Sequence, residues 1–273
     1  MSNETIRVAA IQMSSGAEVD ANLETAGRLL AAAAEDACLV AVLPENFALM
    51  PVRSRDKTAV AERPGDGPIQ SFLGDTARRL GLWIVGGSLP LVSPDADRVY
   101  GGCPVYDAEG RLRACYRKIH LFDVKLPDRD ESYQESFSMF PGDDPVTVDT
   151  PAGTVGLSIC YDVRFPELYR RLVVDGACLF TVPAAFTRVT GEAHWHTLLR
   201  ARAIENLAYV IAPGQCGRHP DGRETFGHSL IVDPWGRILA ERVDGEGVVA
   251  ADMDPALPPR LRSEFPALAN RRL

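Results

Sequence analysis

No stretch of the sequence reaches the roughly 18 consecutive apolar residues of a bilayer-spanning helix, so no membrane association is expected. No basic and then apolar leader precedes the first strand-like run. MSNETIRVAAIQM passes directly into it, which predicts no secretory signal and a cytoplasmic protein. No Cys-x-x-Cys pair occurs among the six cysteines, Cys38, Cys103, Cys115, Cys160, Cys178 and Cys216. That argues against a redox motif or a four-cysteine zinc site and predicts reduced thiols. Positive charge is in deficit, 29 Lys and Arg against 37 Asp and Glu for a net charge of −8, so nucleic acid is not an expected partner. Low-complexity segments and Pro/Gly/Ser-rich linkers are absent. The 20 prolines and 23 glycines are scattered as turn punctuation, and residues 1–273 are expected to form a single domain.

Several catalytic signatures are missing too. There is no G-x-S-x-G, and Arg164 is the fourth residue after Cys160, which rules out the C-x5-R loop of thiol phosphatases. None of His120, His194, His196, His219 and His228 lies in a papain-like or caspase-like context. His194-x-His196 lacks a convincing third ligand and Cys216-Gly-Arg-His219 is a lone C-x-x-H, so no metal and no cofactor are expected.

What is present is an alternation of strands and helices. IRVAAIQM (6–13), CLVAVLPE (38–45), LWIVGGSL (82–89), CPVYD (103–107), RLRACYRKIHL (111–121), VTVDT (146–150), TVGLSIC (154–160) and CLFTVPAA (178–185) read as strands. Helices are expected over 21–36, 68–80, from Pro166 towards Gly176, and over 192–207, where Trp195, Leu199, Ala203 and Leu207 form one stripe. AYVIAPG, HSLIVD, RILAERV and GVVAADM follow as strands. Apolar runs of this kind fit sheets covered on both faces, an α/β architecture. Strand, helix, strand ending in VLPE is echoed later by strand ending in SIC, helix, strand ending in TVPAAF.

GLSICYDVRFPE (156–167) places Cys160 between a strand and a helix. A turn there exposes its apical side chain and points backbone N–H groups at one spot, while the helix N-terminus favours a thiolate. Position alone leaves two readings open, a nucleophile or a small apolar residue ending a strand. Glu45 at the end of CLVAVLPE and Lys118 within YRKIHLF are charges on buried-looking runs, costly unless paired or used.

VLPENF, YRKIHLFD and GLSICYDVRFPEL together resemble the motifs of the carbon–nitrogen hydrolase (nitrilase) superfamily, in its chain order. The similarity continues through GEAHWHTLLRARAIEN and GHSLIVDPWG. The resemblance implies a four-layer α-β-β-α sandwich and an amidase acting on carbon–nitrogen bonds of the non-peptide type. It further implies a catalytic triad of Glu45 as base, Lys118 as cation and Cys160 as nucleophile, acting through a thioester. Glu135, in YQESF, is implied as a second carboxylate; Glu131 is its nearest competitor. Tyr161 is expected to offer its backbone N–H, Arg164 to anchor a substrate carboxylate, and Phe186 and Thr187 to line the pocket. The stretch APGQCGRHPDGRETFGHSLIVDPWG is most similar to the deaminated glutathione amidases, with omega-amidases on alpha-ketoglutaramate and carbamoyl-amino-acid hydrolases as neighbours. Arg218 and His219 are then candidates for the far end of the substrate. A homodimer is implied, through the helix after Cys160 and that at 192–207. A non-catalytic binding protein on the same fold is the reading of a different class.

Overall fold

The computed structural model describes residues 5–125 and 132–272. The first half runs β1 (Ile6–Gln12), α1 (Val19–Glu35), β2 (Val40–Val42), α2 (Asp56–Ala59), α3 (Pro68–Leu80), β3 (Trp83–Val85), β4 (Leu89–Val92), β5 (Val99–Tyr106) and β6 (Leu112–Arg117). After β7 (Asp123–Lys125) and β8 (Ser132–Gln134) come β9 (Thr147–Thr150), β10 (Gly153–Leu157), α4 (Pro166–Val174), β11 (Leu179–Thr181), α5 (Arg188–Asn206) and β12 (Tyr209–Ala212). The chain closes with β13 (Cys216–Arg218), β14 (Glu224–Phe226), β15 (Ser229–Val232), β16 (Ile238–Arg242), β17 (Gly247–Met253) and α6 (Leu257–Glu264).

One sheet has the order β17-β1-β2-β3-β5-β4, with β6 paired to β5. The other has the order β16-β15-β12-β11-β10-β9. In the first, β1, β2 and β3 are parallel, joined by crossovers through α1 and α3. In the second, β10, β11 and β12 are parallel, joined through α4 and α5. Each parallel trio is flanked by antiparallel strands, so the echo in the sequence corresponds to a repeated topology.

Alternation along the strands sorts the side chains into layers. Val8, Ala10, Val40 and Val42 pack in the core shared with Val155, Leu157 and Leu179 of the second sheet. Ala9, Ile11, Ala41 and Leu43 join Leu29 and Leu30 of α1 and Leu73 and Ala77 of α3. Trp195, Leu199, Ala203 and Leu207 are all buried, covering the outer face of the second sheet. The result is the four-layer α-β-β-α sandwich.

Several expected strands are shorter than their runs: CLVAVLPE is a strand only over Val40–Val42, TVGLSIC ends at Leu157 and CLFTVPAA at Thr181, and two further cases bear on the site. LWIVGGSL is broken at Gly86-Gly87, which separates β3 from β4. Gly87 has φ 58°, and a Cβ there would lie 2.1 Å from the Pro44 carbonyl oxygen. Only glycine lets the two loops approach so closely. RLRACYRKIHL is a strand only to Arg117, so Lys118 stands just beyond the strand end.

Candidate active site

Glu45 and Cys160 leave parallel strands of different sheets, beyond β2 and β10, and Lys118 follows β6. Open parallel sheets gather ligand-binding residues at such carboxyl ends. All three side chains are buried, Glu45 to 5%, Lys118 to 2% and Cys160 to 8% exposure. Lys118 Nζ donates to Glu45 Oε1 at 2.8 Å and to Glu135 Oε1 and Oε2 at 2.9 and 2.8 Å. The other Glu45 oxygen accepts the Ala185 N–H at 2.8 Å, and the Glu45 carboxylate and the Cys160 thiol sit close enough to shift each other's titration. Glu135 also accepts the Phe122 N–H at 2.7 Å. Glu131, the competing carboxylate, lies outside the described residues.

Cys160 adopts φ 49°, a left-handed conformation that costs a non-glycine residue energy and persists only where its surroundings impose it. Those surroundings are identifiable. The Cys160 N–H donates to the Pro183 carbonyl at 2.8 Å. Asp162, fully buried, accepts the Ile159 N–H and the Tyr116 hydroxyl through Oδ2, both at 2.8 Å. Its Oδ1 accepts the His120 N–H at 3.1 Å and pairs with His120 Nδ1 at 2.7 Å. Asp162 thus ties the cysteine turn to the segment that carries Lys118. At the start of a helical turn the first N–H groups have no intrahelical acceptor. Those of Cys160 and Asp162 go to Pro183 and Ile159 carbonyls, leaving the Tyr161 N–H beside the thiol.

The electrostatics oppose a resting thiolate. Burial, then the adjacent Glu45 carboxylate, pushes the Cys160 thiol well above its ordinary range, although Lys118 pulls the other way. Burial also works against the Glu45 carboxylate, but the Lys118 charge and the hydrogen bonds from Lys118 and Cys160 prevail and hold it below the ordinary carboxylate range. Lys118 loses solvation, yet Glu135 and Glu45 keep it protonated well above the usual lysine range. The resting site is therefore thiol, carboxylate and ammonium.

A cavity of about 480 Å³ opens onto these groups. Glu45, Lys118, Cys160 and Glu135 line it, and so do Tyr161, Phe186 and Thr187. Phe186 is backed by Trp195, ring centroids 4.9 Å apart. Arg164 does not line this cavity: its guanidinium lies over the rings of Phe186 and Tyr161, 5.2 and 5.8 Å from their centroids, and contacts His194 Nδ1 at 3.3 Å. His219 is buried between the Ser15 carbonyl and the Thr225 hydroxyl, and Arg218 lines a separate hollow. No histidine lines the active-site cavity among the described residues. His196, which the sequence left without ligand partners, meets Glu241 together with His228, away from the thiol.

Sequence reasoning missed Lys57, Arg223 and Asn46, all in the cavity wall. Lys57 and Arg223 come from the polar stretches RSRDKTAV and HPDGRETF, which carry no periodicity, so burial there has no local signal. It also missed Asp162 as a brace and Gln215, whose amide donates to the Glu45 carbonyl at 3.0 Å. The one available hint for Asp162 was an acid three residues past Ile159, where it can cap the turn that follows the strand.

The model of the family described as carbon-nitrogen hydrolase matches residues 7–260. A deaminated glutathione amidase of Synechocystis sp. is 41% identical over 269 residues, covering 96% of this chain and 97% of that protein. The crystal structure of the Caenorhabditis elegans NitFhit protein superposes with a TM-score of 0.92 at 37% identity, covering all of this chain and 66% of that one. A variant of the amidase from Nesterenkonia sp. AN1, with the acetamide moiety of fluoroacetamide on its active-site cysteine, superposes at 0.81 with 26% identity, covering 100% of this chain and 95% of that one. The chain belongs to the carbon–nitrogen hydrolase (nitrilase) superfamily, and is a hydrolase of carbon–nitrogen bonds.

Proposed function

We propose that the protein is an amidase with a Glu45–Lys118–Cys160 triad, and that its substrate is deaminated glutathione. The observation that carries the chemistry is that Glu45, Lys118 and Cys160, all buried, line one cavity, with Lys118 donating to the Glu45 carboxylate at 2.8 Å. Glu45 removes the thiol proton as sulfur attacks the amide carbonyl carbon. Negative charge forms on the carbonyl oxygen, where Lys118 and the Tyr161 N–H receive it. Glu45 passes its proton to the departing nitrogen, the carbon–nitrogen bond breaks, and a thioester on Cys160 remains. Water, deprotonated by Glu45, attacks the thioester; the acid leaves and the thiol is restored. Glu135 holds Lys118 in place through both its oxygens.

The substrate rests on similarity to deaminated glutathione amidases over 96% of the chain. The acyl half would leave as alpha-ketoglutarate and the amine half as cysteinylglycine. The test compares rates under identical conditions, read as alpha-ketoglutarate released from deaminated glutathione and from alpha-ketoglutaramate, and as ammonia released from a carbamoyl amino acid. A clear preference for the first is expected; preference for the second makes the protein an omega-amidase, and equally poor rates on all three contradict the assignment.

The protein works in the cytoplasm as a homodimer whose interface includes α4 and α5. Six free cysteines support the compartment. Exposed Val174 and Ile204 on those helices, with Trp235 and Phe265 also exposed, support the interface. A dimer by sedimentation that Ile204→Glu dissociates is the expected result.

A further inference from the structure

We propose that Lys57, with Arg223 beside it, is the anchor for a carboxylate at the far end of the substrate's acyl half, the part assigned to Arg164 on sequence. The inference rests on the reading of Cys160 as the attacking group. Lys57 lies on the short helix α2, is 92% removed from solvent at 8% exposure, and still lines the active-site cavity. Its only hydrogen-bond partner among the described residues is the Met139 thioether, 3.8 Å away. A buried ammonium with no carboxylate is expensive and calls for an anion that arrives later. The nearby carboxylates are not available to it: Glu45 and Glu135 are both bonded to Lys118.

The surroundings agree. Burial lowers the Lys57 pKa although Glu135 and Glu45 act to raise it, and Lys118 and Arg223 lower it further. Arg223 reaches the same cavity from the turn between β13 and β14, and its Nε is buried without a partner. Its contact with Asp221, at 3.4 Å, occupies only one terminal nitrogen. The Lys57 ammonium and the Arg223 guanidinium, the latter stacked over the Tyr133 ring at 5.1 Å, line the same cavity as Cys160. The ligand they suit is an acyl chain ending in a carboxylate: the monoamide of a dicarboxylic acid. Arg164, whose guanidinium lies over the Phe186 ring, does not line this cavity.

The probe is alpha-ketoglutarate, whose binding needs no turnover. Calorimetry on the full chain should show Lys57→Met weakening it about 10- to 100-fold, the loss expected of a buried charge-assisted hydrogen bond, with Lys57→Arg recovering part. The preference for an acidic monoamide over its methyl ester, as a ratio of kcat/KM values, should collapse by a similar factor. Because Lys57→Met removes an unpaired buried charge, it should melt no lower than wild type without ligand. Unchanged affinity and preference overturn the proposal, and so does marked destabilisation of ligand-free Lys57→Met, which would make Lys57 a structural residue. If wild type binds alpha-ketoglutarate through Lys57 but cleaves no amide, the anchor stands and the amidase reading fails.

Discussion

Cys160 is held in a conformation unfavourable for its own backbone, by contacts made almost entirely by residues other than the triad. Asp162 is the centre of that brace, with four bonds to Ile159, Tyr116 and His120. Asp162→Ala should cost about 3–5 kcal/mol of stability, since it leaves several buried donors unpaired. Urea unfolding checks this, and an unchanged midpoint would contradict the account. In the proposed mechanism Glu45 carries the proton, so Glu45→Gln should lower kcat/KM by about 10²- to 10⁴-fold, measured on any accepted amide. The glutamine keeps an oxygen for Lys118, so the variant should stay folded. At this scale Glu45, Lys118 and Cys160 each allowed a bland reading by position, and the triad was named only because VLPENF, YRKIHLFD and GLSICYDVRFPEL together resemble the superfamily's motifs. Lys57 and Arg223 were not, because a cation in a polar loop reads the same whether the fold buries it or leaves it in water.

Among the elements, α3 spans the expected 68–80, since Pro68 opens it and Gly81, at φ 62°, closes it by local chemistry. Long-range contacts decided what local pattern could not. The apolar run LWIVGGSL is interrupted because Gly87 must pass the Pro44 carbonyl next to Glu45. Gly87→Ala should therefore be more damaging than an ordinary helix or loop glycine substitution. It combines a left-handed backbone with a 2.1 Å approach to main chain, and should lower both the melting temperature and kcat. A variant with wild-type kcat would show that the Pro44–Glu45 segment is not held by this contact. Likewise β6 ends at Arg117, but the next N–H, of Lys118, still donates to the Gly101 carbonyl of β5 at 2.9 Å, which fixes the backbone from which Lys118 reaches the carboxylates.

At the scale of the whole molecule, the two sheets act as jaws: Glu45 comes from one, Cys160 from the other, and the fold sets their distance. The apolar alternation made the layers legible, whereas which loop meets which across the sandwich has no signature in a single sequence. Burial of the site also fixes its pH response. Glu45 titrates below the ordinary carboxylate range, so its contribution to stability is present above that range. It is lost only as pH falls through the lowered value. The acid limb of kcat/KM should follow the same group. Cys160 need not ionise before substrate arrives, so no alkaline limb is expected near ~8.5, where a free thiol titrates. A limb there would point to a preformed thiolate instead.

The central claim is that Glu45-assisted attack by Cys160 builds a thioester. The direct measurement is intact-protein mass spectrometry after rapid acid quench of the enzyme with excess deaminated glutathione. The account predicts wild type carrying the alpha-ketoglutaryl mass on the peptide that contains Cys160, and none on Cys160→Ala. Turnover by Cys160→Ala at the wild-type rate, or an acyl group on any other residue, would contradict it.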